Sequence, residues 1–176
     1  IVEYDGTEYC GWQSQKIRNS KFEIRNSIKK IKTIQETIEK TLEKILKEKV
    51  NLIVAGRTDS GVHAEGQVCN FRTKSLLKPD VIKKALNHNL PKDIVIRCAE
   101  YVFLEFNSRE DALQKVYRYA VLNRNHPPAI SRHFVYHYSF PLDLRLMKLE
   151  AKSLLGKHNF KSFQAKDISE RSPIVC

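Results

Sequence analysis

Several things are scarce in this 176-residue chain, and each scarcity excludes something. No apolar run approaches the roughly 18 residues needed to span a membrane, and no basic-then-apolar leader opens the chain, so a cytoplasmic protein is expected. The four cysteines, Cys10, Cys69, Cys98 and Cys176, are scattered with no C-x-x-C pair. That spacing indicates neither a disulfide framework nor a zinc site, and reduced thiols packed as small apolar residues are expected. Acid is short as well: 20 Asp and Glu stand against 31 Lys and Arg, a net charge of +11. An excess of this size favours a polyanionic partner, nucleic acid first. With 41% apolar and 29% charged residues the composition is otherwise that of an ordinary globular chain, enough for one substantial core or two small ones.

The charge is unevenly placed. Residues 16–32, KIRNSKFEIRNSIKKIK, carry net +6 of the +11, and IRNS at 17–20 recurs at 24–27. Two readings stand for this insertion: a solvated loop, or a segment that touches a partner's phosphates.

The remainder has a clear rhythm. Apolar residues at Ile34, Ile38, Leu42, Ile45 and Leu46 predict a helix, with Thr33 as N-cap and Glu36 at N3 completing a capping box. Glu36 with Lys40 and Glu43 with Lys47 fall in the favourable i, i+4 order. Strands are expected over 50–55 and 67–71, then a helix opened by Pro79 with Val81, Ile82, Ala85 and Leu86 inward, then a strand over 94–98. Further strands are read over 115–123 and 134–140. A third helix, striped by Leu144, Met147, Ala151, Leu154 and Leu155, stops at Gly156. The pattern is α+β, in two small lobes meeting near residue 105.

Glycine is the most telling scarcity. There are six, and Gly56, Gly61 and Gly66 all fall in AGRTDSGVHAEGQVCNF, residues 55–71. Gly56 and Gly61 flank R-T-D-S, allowing sharp turns on either side while Asp59 is held between them. The plain reading makes Asp59 an Asx-turn residue with Arg57 as its ion-pair partner. Asp59 and His63 as metal ligands lack a third ligand at plausible spacing, and Gly61 argues against a helix that would align them. A Ser60, His63, Asp59 triad fails because such close neighbours in a turn cannot reach one another in order. A phosphate cradle would need the missing G-K-[ST] ending. Two other stretches raise the same question. YDGTEYCGWQSQ, residues 4–15, reads either as exposed aromatics and amides for stacking on and reading RNA bases, or as a hairpin with core aromatics. KVYRY, residues 115–119, would place Tyr117 and Tyr119 on one strand face with Lys115, and Arg118 on the other.

Taken in order, YDGTEYCGWQSQ, TIQETIEKTLEKIL, AGRTDSGVHAEGQVCNF, ALNHNLPKDIVIR, FNSREDALQKVYRY and LLGKHNFKSF resemble the TruA-type tRNA pseudouridine synthases, over nearly the whole chain apart from the insertion. The resemblance implies that Asp59 is the catalytic residue of an isomerase turning uridine into pseudouridine. The N1–C1′ bond is cut, the base turns, and C5 is joined in its place, with no cofactor and no metal. A carboxylate can act here as nucleophile or take a proton from the sugar, and both routes stay open. The target uridine lies in the anticodon stem-loop of tRNA and must be extruded first, at a cost of a few kcal/mol. The implied substrate-binding residues are Arg57, which contacts phosphate and positions Asp59, Tyr117, which stacks on the uracil, and His63 and Arg109. Two ferredoxin-like (RRM-like) lobes, 1–105 and 106–176, sharing an antiparallel sheet are implied, as is a homodimer that binds tRNA across both subunits.

Departures from the family pattern matter too. Where F-H-A-R is usual the chain has F-N-S-R at 106–109, keeping Arg109 but replacing the His by Asn107, and Ser60 stands for the commoner Ala. Members of the family continue beyond the point matching Cys176. The expectation is therefore a fragment or a truncated product, lacking about the C-terminal third and with its second lobe incomplete. A catalytically weak RNA-binding remnant is the alternative to an active enzyme.

Overall fold

Thr33 begins the first helix as its pattern requires. In the computed structural model, which describes residues 1–13, 32–163 and the backbone of 174–175, α1 runs Ile34–Leu46, and the Thr33 hydroxyl accepts the Glu36 amide at 3.3 Å. Such a cap contributes about 1 kcal/mol. Ile34, Ile38 and Leu42 are buried, each worth about 1.5–3 kcal/mol on leaving water. Lys40 pairs with Glu36 as expected. Lys47 instead leaves the helix as its C-cap at φ +58°, its amide donating to the Glu43 carbonyl. The basic insertion lies outside the described residues except for Lys32, whose ammonium sits 4.4 Å from the Tyr9 ring centre.

Two compact units divide the chain, Ile1–Val116 and Tyr117–Cys176. In the first, β1 (Val2–Tyr4) is the middle strand of a three-stranded sheet, antiparallel to β3 (Ala64–Gln67) on one side and to β5 (Ile94–Ile96) on the other. β2 (Ile53–Val54) pairs with β4 (Cys69–Asn70). The expected strand over 67–71 thus begins earlier and is shared. Residues 64–67 bond β1, 69–70 bond β2, and the Val68 carbonyl between them accepts the Ala55 amide at 2.9 Å. The helix α2 (Pro79–Asn89) buries Ile82 and Leu86, whereas Val81, expected inward, is exposed. Asn87 ties α2 to the sheet: its side-chain amide exchanges two hydrogen bonds with the backbone of Ile96, completing the edge of β5 as another strand would.

One core fills this unit, built from Val2, Tyr4, Tyr9, Trp12, Ile34, Ile38, Leu42, Val50, Leu52, Val54, Ile82, Leu86, Leu90, Ile94 and Ile96. Tyr9 and Trp12 are 2% and 0% exposed, so the opening aromatics are core and offer no face for stacking on bases. Burial, and then the hydrogen bond to Asp93 at 2.7 Å, push the Tyr9 phenol far up, keeping it protonated as the donor. Cys10 is exposed, against the expectation of a packed thiol; Cys69 lies against the core, and burial pushes its thiol up to about 11.

The second unit holds β6 (Val121–Asn123), β7 (Tyr136–Tyr138), α3 (Leu144–Ala151) and the short pair β8 (His158–Asn159) and β9 (Ile174–Val175). Here β6 and β7 run parallel, a departure from the antiparallel expectation. The strand read over 115–123 shrinks to 121–123, because residues 115–119 have no partner ladder among the described residues. Alternation therefore does not set the faces of Tyr117 and Tyr119. Asp143 caps α3 by accepting the Arg145 and Leu146 amides at 2.9 Å each, and a 3-10 turn over Lys152–Leu154 precedes Gly156 at φ +95°. None of the described residues of this unit is buried. No helix of the described residues is long and apolar enough to cross a membrane.

Candidate functional site

The loop carrying Asp59 is gripped by the segment that follows β1. Glycine makes the grip possible at two points. Gly6 approaches so closely that a Cβ there would lie 2.1 Å from the Val62 carbonyl oxygen. At Gly11 a Cβ would lie 2.6 Å from the Thr58 oxygen. Hydrogen bonds run beside these contacts. The Trp12 amide donates to the Thr58 carbonyl at 2.9 Å, and the Tyr9 carbonyl accepts the Gly61 amide at 3.2 Å and the Ser60 hydroxyl at 3.3 Å. Within the loop the Val62 amide donates to the Asp59 carbonyl at 3.2 Å, closing a turn, and Gly61 takes φ +78°. The backbone of residues 58–62 is thereby fixed from both flanks while the Asp59 and Arg57 side chains stand exposed. No ion pair joins Arg57 and Asp59 among the described residues, so mutual pairing does not account for either.

His63 closes the loop. Its Nδ1 accepts the Gly6 amide at 3.1 Å and lies 3.0 Å from Asp5 Oδ1. One nitrogen cannot accept and donate at once. The contacts to Gly6 and Asp5 are therefore alternatives for that atom. Burial works against ionisation of Asp5, but hydrogen bonds from the Thr7 hydroxyl and amide, with His63 alongside, outweigh it and hold the carboxyl below its usual range.

Arg109 belongs to a separate turn tied to the β2–β4 pair. Ser108, 2% exposed, donates its hydroxyl to the Ile53 carbonyl at 2.9 Å and its amide to Asn70 Oδ1 at 3.0 Å. The Asn107 side chain accepts the Arg109 amide at 3.1 Å. Asn107 and Ser108 thus both serve the turn, and the Arg109 side chain is exposed. Tyr117, the first residue of the second unit, is 81% exposed. Arg57, Asp59 and His63 therefore share one loop, Arg109 comes from a second, and Tyr117 belongs to the other unit. No group of three or more His, Cys, Asp or Glu among the described residues is placed to hold a metal ion.

The model of the family described as tRNA pseudouridine synthase matches residues 1–109, the stretch containing both the gripping segment and the gripped loop. The chain belongs to that family. Among its curated relatives is a tRNA pseudouridine synthase A 2 of Clostridium perfringens, 45% identical over 163 residues that make up 93% of this chain and 62% of the relative. The tRNA pseudouridine synthase A proteins of Acetivibrio thermocellus and Clostridium acetobutylicum are 42% and 41% identical, over 99% and 98% of this chain and 66% of each relative. The chain thus spans slightly less than two thirds of the length of these synthases.

Three contributors to the Asp59 loop were missed from sequence. Lys115 reaches it: a Cβ at Gly56 would lie 3.4 Å from the Lys115 ammonium nitrogen. Tyr4 and Gln67 lie beneath it, Tyr4 through its hydroxyl at 2.8 Å from Thr58 Oγ1 and Gln67 through its amide donating to the Gly56 carbonyl at 2.7 Å. Only a tyrosine at an inward strand position, where phenylalanine would pack as well, hinted at such a role.

Proposed function

We propose that the chain carries the catalytic loop of a tRNA pseudouridine synthase, with Asp59 as its catalytic residue. The observation that supports this most is an exposed carboxylate on a backbone held from both sides, which costs little to keep in place during a reaction. In this reading a uridine of the tRNA anticodon stem-loop is extruded toward Asp59, which attacks the sugar or removes a proton from it. The N1–C1′ bond breaks and N1 takes up a proton. C5 then bonds to C1′ and loses its proton, so the product is an isomer and no redox partner is consumed. Arg57, Arg109 and His63 bind on the substrate side, the two arginines through phosphate, and Tyr117 stacks on the uracil. The enzyme works without cofactor or metal, in the cytoplasm, as a homodimer. The first unit is read as a ferredoxin-like lobe. This is supported by β5, β1 and β3 lying side by side and by the continuation of β3 into β4 next to β2.

A second reading, an RNA-binding remnant with weak or no turnover, is favoured by one observation: no described residue of Tyr117–Phe163 is buried. One experiment separates the two. The purified chain is mixed with unmodified tRNA, and pseudouridine is mapped by chemical derivatisation and primer extension beside an Asp59→Ala control. Pseudouridine in the anticodon stem-loop that vanishes in the control is the expected result. Equal signal from both proteins would remove Asp59 from the chemistry, while salt-sensitive binding without any product would favour the remnant.

A further inference from the structure

Between Gly56 and Thr58 the loop has a support the backbone grip does not supply. Tyr4 is 3% exposed on β1, its ring 5.9 Å from that of Trp12, so its body is core. Its hydroxyl is carried in with it and needs a partner. It lies 2.8 Å from the Thr58 hydroxyl, and on the other side of Arg57 the Gln67 side-chain amide donates to the Gly56 carbonyl at 2.7 Å. A polar atom carried into a core costs stability unless paired, and phenylalanine would fill the ring's place without that cost. The hydroxyl is thus explained by its tie to Thr58, the residue before Asp59, as Gln67 is by its tie to Gly56 on the other side of Arg57. Downstream, the Trp12 and Gly61 amides and Gly11 hold the loop through backbone.

We infer that Tyr4, Gln67 and Thr58 form a positioning relay that fixes the loop backbone under Arg57 and sets the direction in which Asp59 projects. The inference rests on the synthase reading for its effect on rate, and on geometry alone for its effect on the loop. Burial raises the Tyr4 phenol, so the hydroxyl stays protonated and the relay is intact throughout the neutral range. The three act through Asp59.

The test compares Tyr4→Phe, Thr58→Val and Thr58→Ser with the parent chain and with Asp59→Ala. It reads the single-turnover rate of pseudouridine formation at saturating tRNA, tRNA affinity, and amide hydrogen exchange at Gly61 and Val62. The expected result is a rate lowered by about tenfold or more in Tyr4→Phe and Thr58→Val, since errors near 1 Å cost on the order of a hundredfold. Affinity should change far less, and Thr58→Ser, which keeps the hydroxyl, should restore the rate. Exchange at Gly61 and Val62 should quicken in the first two variants and not in the third. Unchanged rates in Tyr4→Phe and Thr58→Val beside a dead Asp59→Ala would overturn the relay and leave the synthase reading standing. Should the parent chain show no turnover, the synthase reading fails instead. Exchange then decides alone: no difference between Tyr4→Phe and the parent would overturn the relay.

Discussion

Gly11 lies against the carbonyl oxygen of Thr58 with no room for a side chain: a Cβ would come within 2.6 Å of that oxygen, and the residue sits at φ +82°. Two penalties coincide there. A left-handed conformation costs an L-residue roughly 1–2 kcal/mol, and the clash is with backbone that cannot rotate away. Gly11→Ala is therefore expected to destabilise the chain by at least about 2 kcal/mol, at the large end of single substitutions. Urea titration checks it. A midpoint equal to the parent's would mean that the two segments are not in contact in solution.

The Asp5 carboxyl carries a pH dependence whose sign follows from its neighbours. Its folded value is held below the ordinary 3.8, so its contribution is present above that pH and is lost as pH falls through the lower, folded value. The side chain is 40% exposed, which keeps the effect modest. Thermal midpoints measured from about pH 6 down to about pH 2.5 should fall less steeply below pH 4 in Asp5→Asn than in the parent. Parallel curves would show that Thr7 and His63 do not hold the ionised form.

Arg57 and Lys115 should each show in the salt dependence of tRNA binding. Each is an exposed cation beside the Asp59 loop, Lys115 through its approach to Gly56. If each meets one phosphate, Arg57→Ala and Lys115→Ala should each reduce the salt slope of tRNA binding by roughly 0.7–0.9, while Asp59→Asn leaves the slope as it was. Binding measured at several salt concentrations reads this directly. A Lys115→Ala slope matching the parent's would leave that lysine without an RNA contact.

What could be read from the order of residues is local. The Thr33 cap, the α1 stripe and the Pro79 start all rest on contacts within a few positions, and each appears where the pattern puts it, whereas α3 ends at Ala151, short of the expected stop at Gly156. The motif string around Asp59 points to the right family for the same reason, since the string is contiguous. Tertiary structure alone decided the rest. Whether Tyr9 and Trp12 meet solvent or core depends on Ile34 and Ile94, far along the chain, and the core took both. The split of one expected strand into β3 beside β1 and β4 beside β2 depends on two partners that sequence periodicity cannot name. Strands over 115–119 failed to form for the same reason, because a strand exists only with a ladder beside it. Most telling is Asp59 itself: its identity and its flanking glycines lie in one short string. The rigidity that would make it useful comes from Tyr4, Gly6, Gly11 and Gln67, because holding a loop still takes contacts from elements that the loop does not contain.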